Sequence, residues 1–428
     1  MLKVKNIHRL FSITLIFLAL LTFITVVAPV TNADQDIASK ATDAYDFPIK
    51  FGDTEWETLE SHDAMLEACQ VPESILKGMS TTGLVETVLN YPLYEDMFAY
   101  NRLQDGFDAV VARFNGLQEL LGRKDAGVEV LAVYHDMDPT AIVESWTSVD
   151  KGKFAVDFHS IEILLSQDAI LDDLTKMQID QLLDEALKKS QGKAAYPEIY
   201  GWTGLESTAM LAGRALQHIE AAFNEKVQAD ENLKAFLETG SFAGTDLPSS
   251  ILEEVSEYLD NALSWSSSTR WDPEDYLTYE VETPNGTTVS PTYKDLPELS
   301  PALISYYNSW ADNYSPGNAY RVATATQKYN CHSYAWHEWS VDNIYWIDSP
   351  GDDTYWNDGS YVVDYSPNAN NIIRWNSADH SGVLSVYNSS SVGQSWVFSK
   401  WGSLPLMLHK MSVCPYTTTS VTFFEPES

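Results

Sequence analysis

Cysteine is scarce: the 428-residue chain has three (Cys69, Cys331, Cys414) and no C-x-x-C pair. That excludes a disulfide framework and a zinc knuckle. Positive charge is scarce too. Lys and Arg number 26 against 61 Asp and Glu, a net charge of −35, which argues against holding nucleic-acid phosphates or docking on an anionic membrane surface. A Walker A loop, a G-x-S-x-G elbow and a Rossmann glycine fingerprint are all missing, so nucleotide-dependent chemistry has no footing. What remains is an ordinary globular composition, 44% hydrophobic and 20% charged. The length suits about two or three domains.

The charge is unevenly spread. Residues 1–33 carry +3 and residues from Arg321 onward −5, which leaves −33 for 34–320. The N-terminus runs from a basic stretch (MLKVKNIHR) through LFSITLIFLALLTFITVV to Pro29 and Thr31-Asn32-Ala33. This order predicts a secretory signal peptide over 1–33, cleaved after Ala33, rather than a retained anchor. The protein is then secreted, without stable membrane insertion once the signal is removed.

Residues 34–265 predict an acidic all-α domain. Apolar residues recur at helical spacing in Leu84, Val85, Val88, Leu89, in Ile161, Leu164, Leu165, in Leu182, Leu183, Leu187 and in Leu205, Met210, Leu211, Leu216. The segment 266–320, entered through SWSSST at 264–269, holds Pro273, Pro284, Pro291, Pro297, Pro301 and Pro316. It predicts a linker or an extended strap. From 321 to 428 the texture turns to Tyr, Trp, Ser and β-branched residues. Runs at 371–375, 382–387 and 395–399 predict antiparallel strands, preceded by a helix beginning near Cys331, hence an α+β unit.

Cys331 follows Asn330, a good helix N-cap. A thiol in the first turn of a helix is favoured as thiolate, the form that attacks carbonyls. His380 heads a predicted strand, where an imidazole could face such a thiol. The bland readings are a structural cysteine, bridged or buried, and an ordinary strand histidine. The acidic run Asp348, Asp352, Asp353, Asp358 lacks EF-hand spacing and reads as a polar loop rather than a calcium site. His332 and His337 do not share a helix face, and His337-Glu338 lacks the second histidine of H-E-x-x-H. Seven of 13 tryptophans follow residue 321. Trp336 and Trp396 are expected in the core, whereas Trp339, Trp346, Trp356 and Trp401 are candidates to line a substrate groove.

The run Asn330-Cys331-His332-Ser333-Tyr334-Ala335-Trp336, followed by His380-Ser381-Gly382-Val383, resembles the NlpC/P60 superfamily of papain-like cysteine peptidases and amidases. The resemblance covers about 325–416. It implies a papain-like (NlpC/P60-like) α+β domain there, which with the N-terminal helical domain read from apolar spacing makes a multidomain protein. It implies Cys331 as nucleophile, His380 as base and a polar orienting residue one strand on, with Ser399 the first choice and His409 the second. The usual Gly-Asp before the strand preceding the histidine is replaced by Pro367-Asn368-Ala369-Asn370-Asn371. The implied activity is hydrolysis of amide bonds in peptidoglycan or other cell-surface peptides, with no metal and no cofactor. The alternative is a non-catalytic secreted protein whose Trp/Tyr-rich C-terminal module binds glycan or protein.

Overall fold

The computed structural model describes residues 43–240, 246–263, 279–416 and 420–427. The expected signal peptide and the serine run at 264–269 lie outside them. Among the described residues, no helix is long and apolar enough to cross a membrane.

The N-terminal region is helical. Its centre is α1 (Ser148–Leu165), with Ala155, Val156, Phe158, Ile161, Ile163, Leu164 and Leu165 all buried, the pattern of a helix enclosed on all sides. Around it lie α2 (Lys176–Ala194), α3 (Thr203–Ile219) and α4 (Asp246–Leu263). Thr147 and Thr175 start α1 and α2 with capping boxes closed by Asp150 and Gln178. Between the helices, Lys193 Nζ lies 2.7 Å from both carboxylate oxygens of Glu162, which also accepts from Tyr134, Ser207 and Thr208. This ion pair is wholly buried and fully hydrogen-bonded.

The stretch expected as a linker is built differently. Val281–Glu282 pairs with Thr288–Val289, and Thr292–Lys294 with Tyr345–Ile347. Helix α5 (Pro301–Tyr314) then packs along α1. Ser300 caps it by accepting from Leu303 N–H, and Pro301 occupies the first turn, where its missing N–H costs nothing. Leu303, Tyr307, Trp310 and Tyr314 form its buried stripe.

The C-terminal region is a seven-stranded antiparallel sheet: β1 (Ala319–Arg321), β2 (Tyr361–Val363), β3 (Ile372–Trp375), β4 (His380–Val386), β5 (Trp396–Lys400), β6 (Leu406–Lys410) and β7 (Val421–Pro426), in the order β1-β6-β5-β4-β3-β7-β2. Side chains alternate across it. Ile373, Trp375, Leu384, Val397 and Met407 join the core shared with the helices, which runs from Phe47 to Tyr416. Ile372, Val383 and Phe424 face the other way, against Ala335, Trp336 and Tyr355. The helical region and the sheet therefore meet over one continuous hydrophobic core.

Candidate active site

Asn330 fixes the turn that presents Cys331. Its Oδ1 accepts from Ser333 N–H at 3.0 Å and Ile347 N–H at 3.3 Å, and its Nδ2 donates to Ile347 C=O at 2.6 Å. One side chain thus caps the helical turn over 331–337 and ties it to the strand Tyr345–Ile347. Trp336 Nε1 donates to Ser381 Oγ at 2.9 Å and pins the turn to β4.

Cys331 is fully buried. Its partner is Asn101, from the helical region: Nδ2 lies 3.4 Å and Oδ1 3.7 Å from Sγ. The same Nδ2 lies 3.4 Å from Asp379 C=O, so the thiol sits beside the residue preceding His380. The segment carrying Asn101 is clamped from the sheet side. Ser403 N–H donates to Phe98 C=O, and Tyr416 Oη donates to Ala99 C=O. Gly402, at φ +49°, packs so close that a Cβ would lie 2.5 Å from Tyr100 C=O.

His380 opens β4 and is buried between two rings. Tyr416 stacks on it at 3.7 Å and 16°, and Trp375, its cross-strand neighbour, lies at 4.8 Å. Neither ring nitrogen has a hydrogen-bond partner. Burial, reinforced by the charge of His332, holds its pKa well below the ordinary value, so the ring is neutral. No hydrogen bond joins His380 to Cys331 or to Ser399.

Ser399 has other partners. It lies on the same face of β5, and its Oγ is 2.7 Å from His409 Nε2 and 3.0 Å from Trp401 Nε1. His409 Nδ1 lies 2.9 Å from Lys410 C=O, which puts the proton on Nδ1 and leaves Nε2 to accept from the Ser399 hydroxyl. Burial pushes the His409 pKa down to about 4. The two candidates for an orienting residue are thus bonded to each other rather than to His380.

The four candidate groove tryptophans do not share a groove. Trp339 is exposed, with its N–H on Ala335 C=O, and Trp356 is half-buried beneath Arg374. Trp346 and Trp401 are buried, the latter against Trp310, Tyr314 and His409. Ring type and clustering in the sequence do not distinguish a core ring from a binding platform, and these two rings are enclosed.

The structure also assembles residues that sequence reasoning passed over. His332 Nε2 lies 3.1 Å from Asp379 Oδ1, and Nδ1 lies 3.1 Å from Ser381 Oγ and 3.4 Å from Asp352 Oδ2. Arg102, from the helical region, reaches Asp348 at 3.5 Å and donates to Ser349 C=O at 2.7 Å. Burial opposes charge on His332, but Asp352, Cys331 and Asp379 outweigh it and raise its pKa well above the usual value. Burial raises Asp352, and it lifts Asp348 to about 6 against the pull of Arg102. The acidic run is thereby split: Asp348 and Asp352 turn inward, Asp353 pairs with Arg374, and Asp358 binds Thr283 and Ser360. The available signal was adjacency, since His332 follows the candidate nucleophile and Asp379 precedes the candidate base.

A cavity of about 50 Å³ lies where helices and sheet meet, lined by Phe98, Asn101, His159, Glu206, Gln327 and Trp346 among others. Glu206 Oε1, His159 Nε2 and Gln327 Nε2 have no partner. Burial raises the Glu206 pKa to about 8 and lowers that of His159 to about 3. No known family, curated protein or solved structure matches the chain.

Proposed function

We propose that the protein is an exported cysteine hydrolase that cleaves amide bonds, with a papain-like (NlpC/P60-like) C-terminal region. Supporting the fold reading is a cysteine opening a short helical turn that packs on an antiparallel sheet, with a histidine on the neighbouring strand. The observation that carries the chemistry is a thiol held by one amide side chain, Asn101, whose Nδ2 also reaches the carbonyl of Asp379, the residue before an imidazole with no partner on either nitrogen. Cys331 Sγ would pass its proton to His380 and attack the carbonyl carbon. The C–N bond then breaks, and the amine leaves with the proton from His380. Water, deprotonated by the same ring, hydrolyses the thioester to the acid and free thiol. The oxyanion is expected to lie on backbone N–H groups or the Asn101 amide. Access to Cys331 requires withdrawal of the Asn101 segment. The substrate class, bacterial cell-wall peptides, rests on the resemblance at 330–336 and 380–383.

The test is release of peptide fragments from purified cell-wall sacculi, followed by mass spectrometry. The full protein should liberate them, and Cys331→Ala and His380→Ala should not. Equal release by Cys331→Ala would sink the proposal. The second reading, a secreted binding protein, draws on the enclosure of Cys331 and the exposed Trp339. It predicts retention on sacculi without release, unchanged in Cys331→Ala.

A further inference from the structure

We propose that His332, Asp352 and Asp379 bind one divalent first-row transition-metal ion. Each offers a ligand atom, and these atoms lie within 4.8 Å of one another. Ligands about 2.0–2.2 Å from a common ion stand roughly 3–4.4 Å apart, so a small contraction closes the site. Carboxylate lone pairs are left over beyond the ion pairs with His332. Asp352 is 1% exposed, yet neither of its carboxylate oxygens has a hydrogen-bond partner, and Asp379 Oδ2 has none either. A buried carboxylate left in that state is costly.

The imidazole is oriented as a ligand would be. Ser381 Oγ accepts from Trp336 Nε1 and lies 3.1 Å from His332 Nδ1. A proton on Nδ1, donated to that hydroxyl, leaves the Nε2 lone pair facing Asp379. This is the outer-shell arrangement that fixes the tautomer of metal-binding histidines. Charge points the same way. Asp348, Asp352 and Asp379 carry three negative charges, against one on Arg102 and at most one on His332. Replacing the Nε2 proton by a divalent ion makes this buried group neutral. One nitrogen and carboxylate oxygens suit Zn²⁺ or Mn²⁺ better than Ca²⁺, which takes six to eight oxygens. The Asp379 side chain is 24% exposed and gives an ion a way in.

The proposal stands apart from the hydrolase reading, since it concerns occupancy and needs no turnover. Full-length protein stripped with chelator is titrated with Zn²⁺, Mn²⁺ and Ca²⁺ by calorimetry, and with Co²⁺ by visible absorption. We expect about one Zn²⁺ per chain, Ca²⁺ binding at least tenfold weaker, and Co²⁺ ligand-field bands without thiolate charge transfer. Asp352→Asn should weaken Zn²⁺ binding at least tenfold. Absence of Co²⁺ bands in the unaltered protein overturns the proposal without recourse to a variant that could misfold. So does a thiolate charge-transfer band, which would make Cys331 a ligand, or a folded Asp352→Asn that binds Zn²⁺ as tightly as the parent.

Discussion

Two sites share the same pair of chain segments and differ in almost every physical respect. Cys331 and His380 stand among rings and a neutral amide, and the imidazole bonds to nothing. Their chain neighbours His332 and Asp379 join a buried ionic group that draws in Arg102, Asp348 and Asp352. Alternation across the sheet separates them: His380 and Trp375 face the core shared with the helices, and Ser381, one residue on, meets His332 and Trp336 on the other side. The ionic group ties the segments together, with Arg102 on Asp348 and His332 on Asp352 and Asp379. Both sites keep unspent hydrogen-bonding capacity, the imidazole nitrogens of His380 in the neutral site and the oxygens of Asp352 and Oδ2 of Asp379 in the ionic one.

The largest break in this comparison should come from the ionic side. Asp379→Asn breaks the ion pair on His332 Nε2 and leaves that buried ring with only the longer contact to Asp352, so urea unfolding in the presence of chelator should show a loss of about 3–5 kcal/mol. His380→Ala removes a ring that makes no hydrogen bond. It should cost only about 2–3 kcal/mol, as a large-to-small change does. If the His380 change proves the more damaging, the division between a structural and a neutral site is wrong.

Next in size is a pH effect in the internal cavity. Glu206 titrates near 8 when folded and near 4.5 when unfolded. Between those values the folded state holds a proton that the unfolded state does not, so this group's contribution to stability falls as pH rises. Glu206→Gln lacks that dependence, and should gain on the parent by on the order of 3 kcal/mol between pH 5 and pH 8. His159, lowered to about 3, pulls the opposite way in both proteins and cancels in the difference. A difference that does not change with pH would mean that Glu206 is ionised in the fold.

Ser399→Ala separates two roles for that hydroxyl. It strips partners from His409 Nε2 and Trp401 Nε1, so a stability cost of about 1–3 kcal/mol is expected. An orienting residue for His380 would instead show a loss of turnover with little loss of stability.

How much was legible depended on whether the signal was local. The strands at 371–375, 382–387 and 395–399 follow from period-two alternation, and the Asn330 cap from a single residue before a helical turn; both stand in the structure. Helix α5 was hidden because its stripe is Leu303, Tyr307, Trp310 and Tyr314 among serines and asparagines, with prolines on either side. Its start signal, Ser300 before Pro301, reads equally well as a loop. The Ser399–His409 bond needs the β5–β6 register, which puts Ser399 opposite Met407 and His409 opposite Val397. Asn101 meets Cys331 across 230 residues of sequence, beyond the reach of any local pattern.

That long-range contact supports the smallest and most selective prediction. Asn101 is a neutral amide, and losing its contacts with Cys331 Sγ and Asp379 C=O should cost only about 1 kcal/mol. Yet it comes from the helical region and covers a thiol that is otherwise enclosed. Asn101→Ala should therefore speed iodoacetamide labelling of Cys331 by about tenfold, equivalent to roughly 1.4 kcal/mol of easier access. Cys69 and Cys414 serve as internal controls. All three cysteines are free thiols, and burial pushes the Cys69 pKa up to about 12 and raises Cys414 as well. Both controls should stay slow in parent and variant, and Cys331 should label fastest in each. A uniform rise at all three cysteines would report general loosening of the fold. No change at Cys331 would mean that its cover lies elsewhere and that the Asn101 segment is not what a substrate must displace.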